Sequence, residues 1–261
     1  MKPLQRVVLV GSGNLAEAVA QALSQSGVEL VQLFARNPER GQRVAALAGC
    51  EWCGDLAQMA EAESYLLADS DRAVGEVASS LRIPSGAVVA HTAGSVALEA
   101  LPAKFANRAV FYPMQTFTVG RRVDFSTVPI FLECEREALR APLEALARKL
   151  SRKVVWASSE ERRRIHLAAV FVCNFANHLF ALGEQLSEQA GVDFEVLKPL
   201  IAETVAKALE APSPRSVQTG PALRDDQQTM ERHLALLADE PRLQTLYKLI
   251  SQSIWETSKR I

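Results

Sequence analysis

The chain has 261 residues, 48% of them hydrophobic, which is enough to bury a large core in one big or two ordinary domains. Its 29 basic and 30 acidic residues leave a formal net charge of −1, with no long run of one sign, which argues against a nucleic-acid or membrane-surface arm. No uninterrupted stretch of about 18 apolar residues is visible, and the N-terminus runs into a short apolar strand without a signal-length segment, so the expectation is a cytoplasmic protein with no membrane span.

Up to about Trp156, short β-branched or apolar runs alternate with helical patterns, the signature of a parallel sheet covered on both faces. Strands are expected over Arg6–Val10, Glu29–Phe34, Ser64–Ala68, Ala87–His91, Ala109–Tyr112, Val128–Leu132 and Lys153–Trp156. Helices lie between them, the first over Asn14–Gln25 with Leu15, Val19, Ala22 and Leu23 at helical spacing. After Ser158 strand-like runs give way to helical patterns over Ser159–Gln189, Asp193–Glu210, Asp226–Ala238 and Pro241–Lys259. Asp193 and either Asp225 or Asp226 suit helix N-caps, and Pro241 suits a first turn. The fold class is therefore α/β: a Rossmann-like, doubly wound sheet domain over residues 1–157, followed by an all-α domain over residues 158–261.

Four cysteines, Cys50, Cys53, Cys134 and Cys173, are too few for a disulfide framework in a chain of this length, which fits a reducing compartment. C-E-W-C at Cys50–Cys53 lacks both the following helix start of a redox motif and a second pair for zinc. It reads as two small residues at a short strand, and no metal site is expected.

The run V-V-L-V-G-S-G-N-L-A puts Gly11 where a strand ends and Gly13 where a helix begins. The first glycine permits a tight turn, the second lets backbone approach a pyrophosphate, and the helix start offers free N–H groups to phosphate. Gly11, Ser12, Gly13, Asn14 and Leu15 are the residues expected around a dinucleotide, with Ala16 as the small residue for helix–strand packing. The second strand ends L-F-A-R-N-P-E-R, with Ala35 where a carboxylate would bind the adenosine ribose of NAD. Arg36, Asn37 and Arg40 follow and offer charge and planar donors to a 2′-phosphate, so NADP is favoured over NAD. Arg40 also reads as a solvated helix-face charge. Further cofactor contacts are expected at polar strand ends, Ala68 and Asp69, then His91 and Thr92, because ligands of open α/β sheets bind at the carboxyl ends of strands. His91 reads equally well as a structural partner for backbone groups.

The helix after Ser159 is apolar round most of its circumference yet carries aligned polar residues. At about 100° per residue, His166, Asn177 and Glu184 share a line, with Asn174 and His178 beside it. Such a stripe either forms a buried network or faces a ligand. His166, Asn174 and His178 are the candidate catalytic donors, and Gln115, Thr219 and Arg224 the candidate substrate ligands. The last two lie in a long loop, A-P-S-P-R-S-V-Q-T-G-P-A-L-R-D, which reads either as functional or as an ordered connector.

Taken in order, G-S-G-N-L-A, H-T-A-G-S, F-Y-P-M-Q-T-F, N-F-A-N-H-L and S-V-Q-T-G-P-A-L-R-D-D resemble a family of Rossmann-like reductase homologues across nearly the whole chain. That family joins a domain like those of pyrroline-5-carboxylate reductase and the deazaflavin-dependent NADP oxidoreductases to a C-terminal helical domain of unknown function. The resemblance implies NADP around Gly11–Leu15, with Arg36 by the adenosine phosphate. The chain departs from the β-hydroxyacid dehydrogenases, which carry a lysine on the first long helix where this one has His166 and Asn174. The leading expectation is an NADP-dependent oxidoreductase acting on a small C=O or C=N substrate in a cleft between the domains; the alternative is an NADP-binding sensor or interaction protein without turnover. Nothing in the sequence demands a deazaflavin. The apolar helices of the second domain suggest a homodimer through that domain.

Overall fold

A computed structural model describes residues 3–259. The chain divides into two compact units, Met1–Ala176 and Asn177–Ile261. This division falls inside the long helix, whereas the sequence changes character near residue 157.

The first unit holds one sheet of β1 (Arg6–Val10), β2 (Glu29–Phe34), β3 (Glu51–Cys53), β4 (Ser64–Leu67), β5 (Val88–His91), β6 (Arg108–Pro113), β7 (Ile130–Cys134) and β8 (Val154–Trp156). Their order across the sheet is β3-β2-β1-β4-β5-β6-β7-β8. Every residue of β4 and β5 is buried, as expected of central strands covered on both faces. One face packs against α1 (Asn14–Gln25), α2 (Pro38–Ala48) and α4 (Arg140–Leu150); the other packs against α3 (Val74–Ser80) and the turns that carry Leu98, Leu101 and Phe105. Helix α1 buries Ala16, Val19, Ala20 and Leu23, an i, i+3, i+4, i+7 stripe, with Leu15 and Ala22 at its margin.

The strands from β3 to β6 in this order are all parallel, but β7 runs antiparallel to β6, pairing Phe111 with Leu132. A parallel return needs a crossover element. The β6–β7 connection has only a 3₁₀ turn at Phe125–Thr127, so the chain folds straight back.

Helix α5 (Ser159–Ala169) begins with a capping box in which Ser158 and Glu161 serve each other's backbone N–H groups. It continues through a π-helical segment, Val170–Phe175, into α6 (Ala176–Gln189). The wide turn takes up about one extra residue, so straight-helix arithmetic for the polar stripe no longer applies across it. The same helix, Ser159–Gln189, contains an 18-residue window of mean hydropathy 1.6 that is by length and composition alone apolar enough to cross a membrane, and none of that window is buried. Asn174, Asn177 and His178 interrupt the apolar run without lowering its average far.

The second unit continues with α7 (Lys198–Glu210), α8 (Gln227–Leu236) and α9 (Pro241–Ser258). Asp193 caps the 3₁₀ turn that leads into α7 by accepting from Glu195 N, and Asp226 caps α8 by accepting from Thr229 N. Pro241 opens α9.

Candidate nucleotide site and the adjoining Tyr112–His166 pair

Chain order reverses between β1 and β4, and at such a switch point the strand ends open a crevice for a ligand. Gly11 ends β1 there with φ +121°, and a Cβ on it would lie 2.5 Å from the Ala68 carbonyl oxygen. Only glycine permits that backbone and that approach. Gly13 is the N-cap of α1; no side chain caps the helix, and nothing lies within 4 Å of where its Cβ would be. The first-turn amides therefore face open space at the positive end of a helix, an arrangement suited to a phosphate.

Asn14 is clamped from two sides: its Nδ2 donates to the Phe117 carbonyl at 3.0 Å and its Oδ1 accepts from Arg40 Nη2 at 2.7 Å. Arg40 thus braces the turn, and its Nε is buried without a partner. Asn37 uses its Oδ1 to cap α2 at Arg40 N. Ala35 is buried, with its carbonyl accepting from Trp52 Nε1, and no carboxylate ends β2. Arg36 is exposed and, among the described residues, makes no ion pair. Ser12 and Leu15 are half-buried beside the turn. Ala68 supplies the backbone against Gly11, and Asp69 accepts from Ser70 N.

His91 and Thr92 lie deeper than the sequence suggests. Thr92 donates its hydroxyl and its N–H to the Leu67 carbonyl, tying β5 to β4. His91 is fully buried; its Nδ1 accepts from Ala93 N and its Nε2 has no partner. Burial and the nearby Arg162 charge push its pKa down to about 4, against weaker opposing pulls from Ala97 and Asp71.

Beyond His91 the chain builds a cluster around a buried charge. Arg162, in the first turn of α5, is fully buried. Its Nη1 donates to the carbonyls of Ala93, Gly94 and Val96 at 3.3, 3.1 and 2.7 Å, and its Nη2 to Glu133 at 2.8 Å. The guanidinium therefore fixes the H-T-A-G-S loop, whose Ser95 also donates to Asp71. A Cβ on Gly94 would lie 2.6 Å from His166 Nδ1 and 2.8 Å from Tyr112 Cζ. Against that glycine, the Tyr112 hydroxyl meets His166 Nδ1 at 3.1 Å, with the rings edge to face. Burial, with a smaller push from Asp71, raises the Tyr112 pKa, so the phenol keeps its proton at neutral pH.

His166 is thus joined to Tyr112, and the structure records no hydrogen bond linking it to Asn174, which is exposed on the π segment. Gln115 is exposed just past β6, its Oε1 accepting from Thr116 N. In the second unit His178, Thr219 and Arg224 are exposed, and Thr219 lines an apolar groove. Among the described residues no group of three or more His, Cys, Asp or Glu side chains gathers as a metal site, and all four cysteines are free thiols. Burial raises the Cys50 thiol to about 11, far from a reactive thiolate.

Tyr112, Arg162 and Glu133 were not singled out in the sequence. Arg162 lies in the charged run E-R-R-R at 161–164; the available signal was spacing, since Arg162 precedes Ile165 and His166 by three and four residues and so shares their side of the helix.

Residues 6–94 match the family described as NADP oxidoreductase, coenzyme F420-dependent, and residues 128–254 match a domain of unknown function, DUF2520. A crystal structure of a candidate NADP oxidoreductase from Bacteroides fragilis is 40% identical, covers 97% of this chain and 98% of its own, and superimposes with a TM-score of 0.90. The chain belongs to this family. By family and fold it is an oxidoreductase with a nicotinamide-nucleotide domain. A pyrroline-5-carboxylate reductase from Coxiella burnetii shares the fold at 17% identity and TM-score 0.58, covering 99% of this chain and 98% of its own. Over 51 residues the chain is 41% identical to a shikimate dehydrogenase-like protein of Haemophilus influenzae, a local likeness covering 20% of this chain and 19% of that protein.

Proposed function

We propose that this oxidoreductase uses NADP and moves a hydride between the nicotinamide and a small substrate with a C=O or C=N bond. The observation that carries the reading is the Tyr112–His166 hydrogen bond near the carboxyl ends of the strands, the side on which open α/β sheets bind their ligands. The first-turn amides of α1 behind Gly11 and Gly13 hold the pyrophosphate, and exposed Arg36 takes the 2′-phosphate that the absent carboxylate leaves room for. The bound nucleotide supplies the hydride. In this reading Tyr112 donates to Nδ1 and holds the imidazole tautomer with its hydrogen on Nε2; as that hydrogen passes to the substrate oxygen or nitrogen, the phenol proton moves onto Nδ1 and the negative charge comes to rest on the Tyr112 oxygen. Gln115, exposed three residues past Tyr112, is kept as a substrate ligand. Four free thiols support a reducing, cytoplasmic setting.

The test follows NADPH absorbance against a panel of aldehydes, ketones and cyclic imines, paired with NADPH and NADH titrations. His166→Ala is expected to lower turnover by about 10²–10⁴ with NADPH affinity unchanged, and Tyr112→Phe by less. Unchanged rates in His166→Ala remove the proton assignment. NADH bound more tightly than NADPH removes the assignment to Arg36.

A further inference from the structure

Arg162 takes no part in the Tyr112–His166 hydrogen bond itself, yet its charge is fully buried, and Glu133, its ionic partner, is only 16% exposed. A buried ion pair gains little over apolar packing of the same volume, so stability alone does not account for a guanidinium here. On α5, Arg162 and His166 are four residues apart and share one side of the helix. That side meets Gly94 twice. Arg162 Nη1 holds the Gly94 carbonyl at 3.1 Å, while His166 Nδ1 and the Tyr112 hydroxyl lie 2.6 and 2.9 Å from where a Cβ on Gly94 would be. A single glycine thus touches both the cation and the phenol. Ser159 locks the ion pair in place, its hydroxyl accepting from Arg162 Nη2 at 3.1 Å and donating to Glu133 at 2.8 Å. The buried Nε of Arg162 has no hydrogen-bond partner, so the loop carbonyls do not use up the guanidinium.

We propose that Arg162 is a positioning residue of the proton relay: its cation stabilises the negative charge left on the Tyr112 oxygen when hydrogen passes to the substrate. Through Gly94 it also seats the Tyr112–His166 pair; its role in the relay rests on the catalytic reading given above. As the substrate carbon gains its hydride, His166 Nε2 gives its hydrogen to the substrate oxygen or nitrogen and the phenol proton moves to Nδ1. The imidazole ends neutral, and one proton taken from water at Nε2 later returns the other to the phenol. In between, the protein carries a Tyr112 phenolate with little water to solvate it, since Tyr112 is 8% exposed. A fixed cation takes the place of that water. The groups around the phenol act in both directions. Burial and Asp71, which accepts from Ser95 next to Gly94, raise the Tyr112 pKa, and Arg162 lowers it. His166 on α5 is its hydrogen-bond partner, His91 at the end of β5 is neutral above about 4, and Glu133 on β7 acts by tempering Arg162.

The test titrates Tyr112 by fluorine NMR in the full chain labelled with difluorotyrosine, whose more acidic phenol titrates at a pH the fold withstands. The chain has three tyrosines, and Tyr112→Phe assigns the signal. Arg162→Gln is expected to raise the Tyr112 pKa and Glu133→Gln to lower it. Lost packing alone would move both variants the same way, so shifts of one sign, or no shift, overturn the proposal. Arg162→Met combined with Glu133→Gln removes the pair without stranding either charge, a change that folded proteins tolerate, and it carries the test where a single variant does not fold. It too is expected to raise the Tyr112 pKa; no rise there overturns the proposal. With a reducible substrate, the alkaline limb of the turnover profile is expected to move with the titration, and turnover in Arg162→Gln to fall at least about tenfold. Opposite shifts in a chain that reduces no aldehyde, ketone or imine leave the Arg162–Tyr112 coupling standing and remove the catalytic reading. Turnover that needs His166, beside a Tyr112 titration indifferent to Arg162, keeps the catalytic reading and overturns the role of Arg162.

Discussion

In the sheet unit, β1, β4, β5 and β6 are buried at nearly every residue, while the helical unit buries three of its described side chains. Both are well-formed secondary structure, with caps at Ser158, Asp193 and Asp226. The difference lies in where apolar surface leaves water. The open sheet is covered on both faces by elements of its own unit, so its stability and the shape of the nucleotide turn are properties of one chain. The helices have apolar faces and little within their own unit to cover them, so capping decides where they start and packing from outside decides how firmly they stand.

The sharpest way to break this contrast is to compare one ion pair from each unit. Arg162–Glu133 joins a fully buried guanidinium to a carboxylate only 16% exposed. Arg162→Met keeps the volume but strands Glu133 and three carbonyls, and a loss of about 3–5 kcal/mol is expected in denaturant unfolding. A loss below about 1 kcal/mol would show that the H-T-A-G-S loop stands without it.

Next in size is a pH effect confined to the sheet unit. His91 stays neutral in the fold down to about 4, while the unfolded chain takes up a proton near 6.5. Between those values the unfolded state binds more protons, so stability is fully present above about 6.5 and falls as pH drops towards 4. The loss approaches about 3 kcal/mol across the window. His91→Gln should flatten that slope in unfolding curves measured at several pH values; an unchanged slope would assign it to other groups.

The smallest effect belongs to the helical unit. Lys207–Glu203 is an i, i+4 pair at 3.2 Å with both side chains at least half exposed. Lys207→Ala should change stability by about 0.5 kcal/mol or less, and a larger loss would mean that α7 is packed where the single chain leaves it open.

The sequence carried the architecture well because its signals are local. Gly11 and Gly13 mark the strand-to-helix turn, the strands read as β-branched runs, and Asp193, Asp226 and Pro241 mark helix starts by their own capping chemistry. It carried the site less well. His166 stood out as a polar residue on an apolar helix, but its partner Tyr112 lies 54 residues away on β6, and only the sheet brings the two together. Arg162 stands among several charged residues in the sequence, and its burial depends on carbonyls between Ala93 and Val96 and on Glu133, all distant in the chain. The reversal of β7 and the π segment were also hidden, because residue type constrains strand direction and helix pitch only weakly.

What the sequence alone determined is therefore the order of elements, the glycine turn and the absence of a carboxylate after β2, each fixed by backbone sterics or by a residue's own chemistry. Tertiary structure decided that Arg40 braces Asn14, that Thr92 and His91 turn into the core, and that His166 pairs with Tyr112 across Gly94. Those outcomes depend on distances between residues far apart in the chain, and such distances exist only once the sheet has formed.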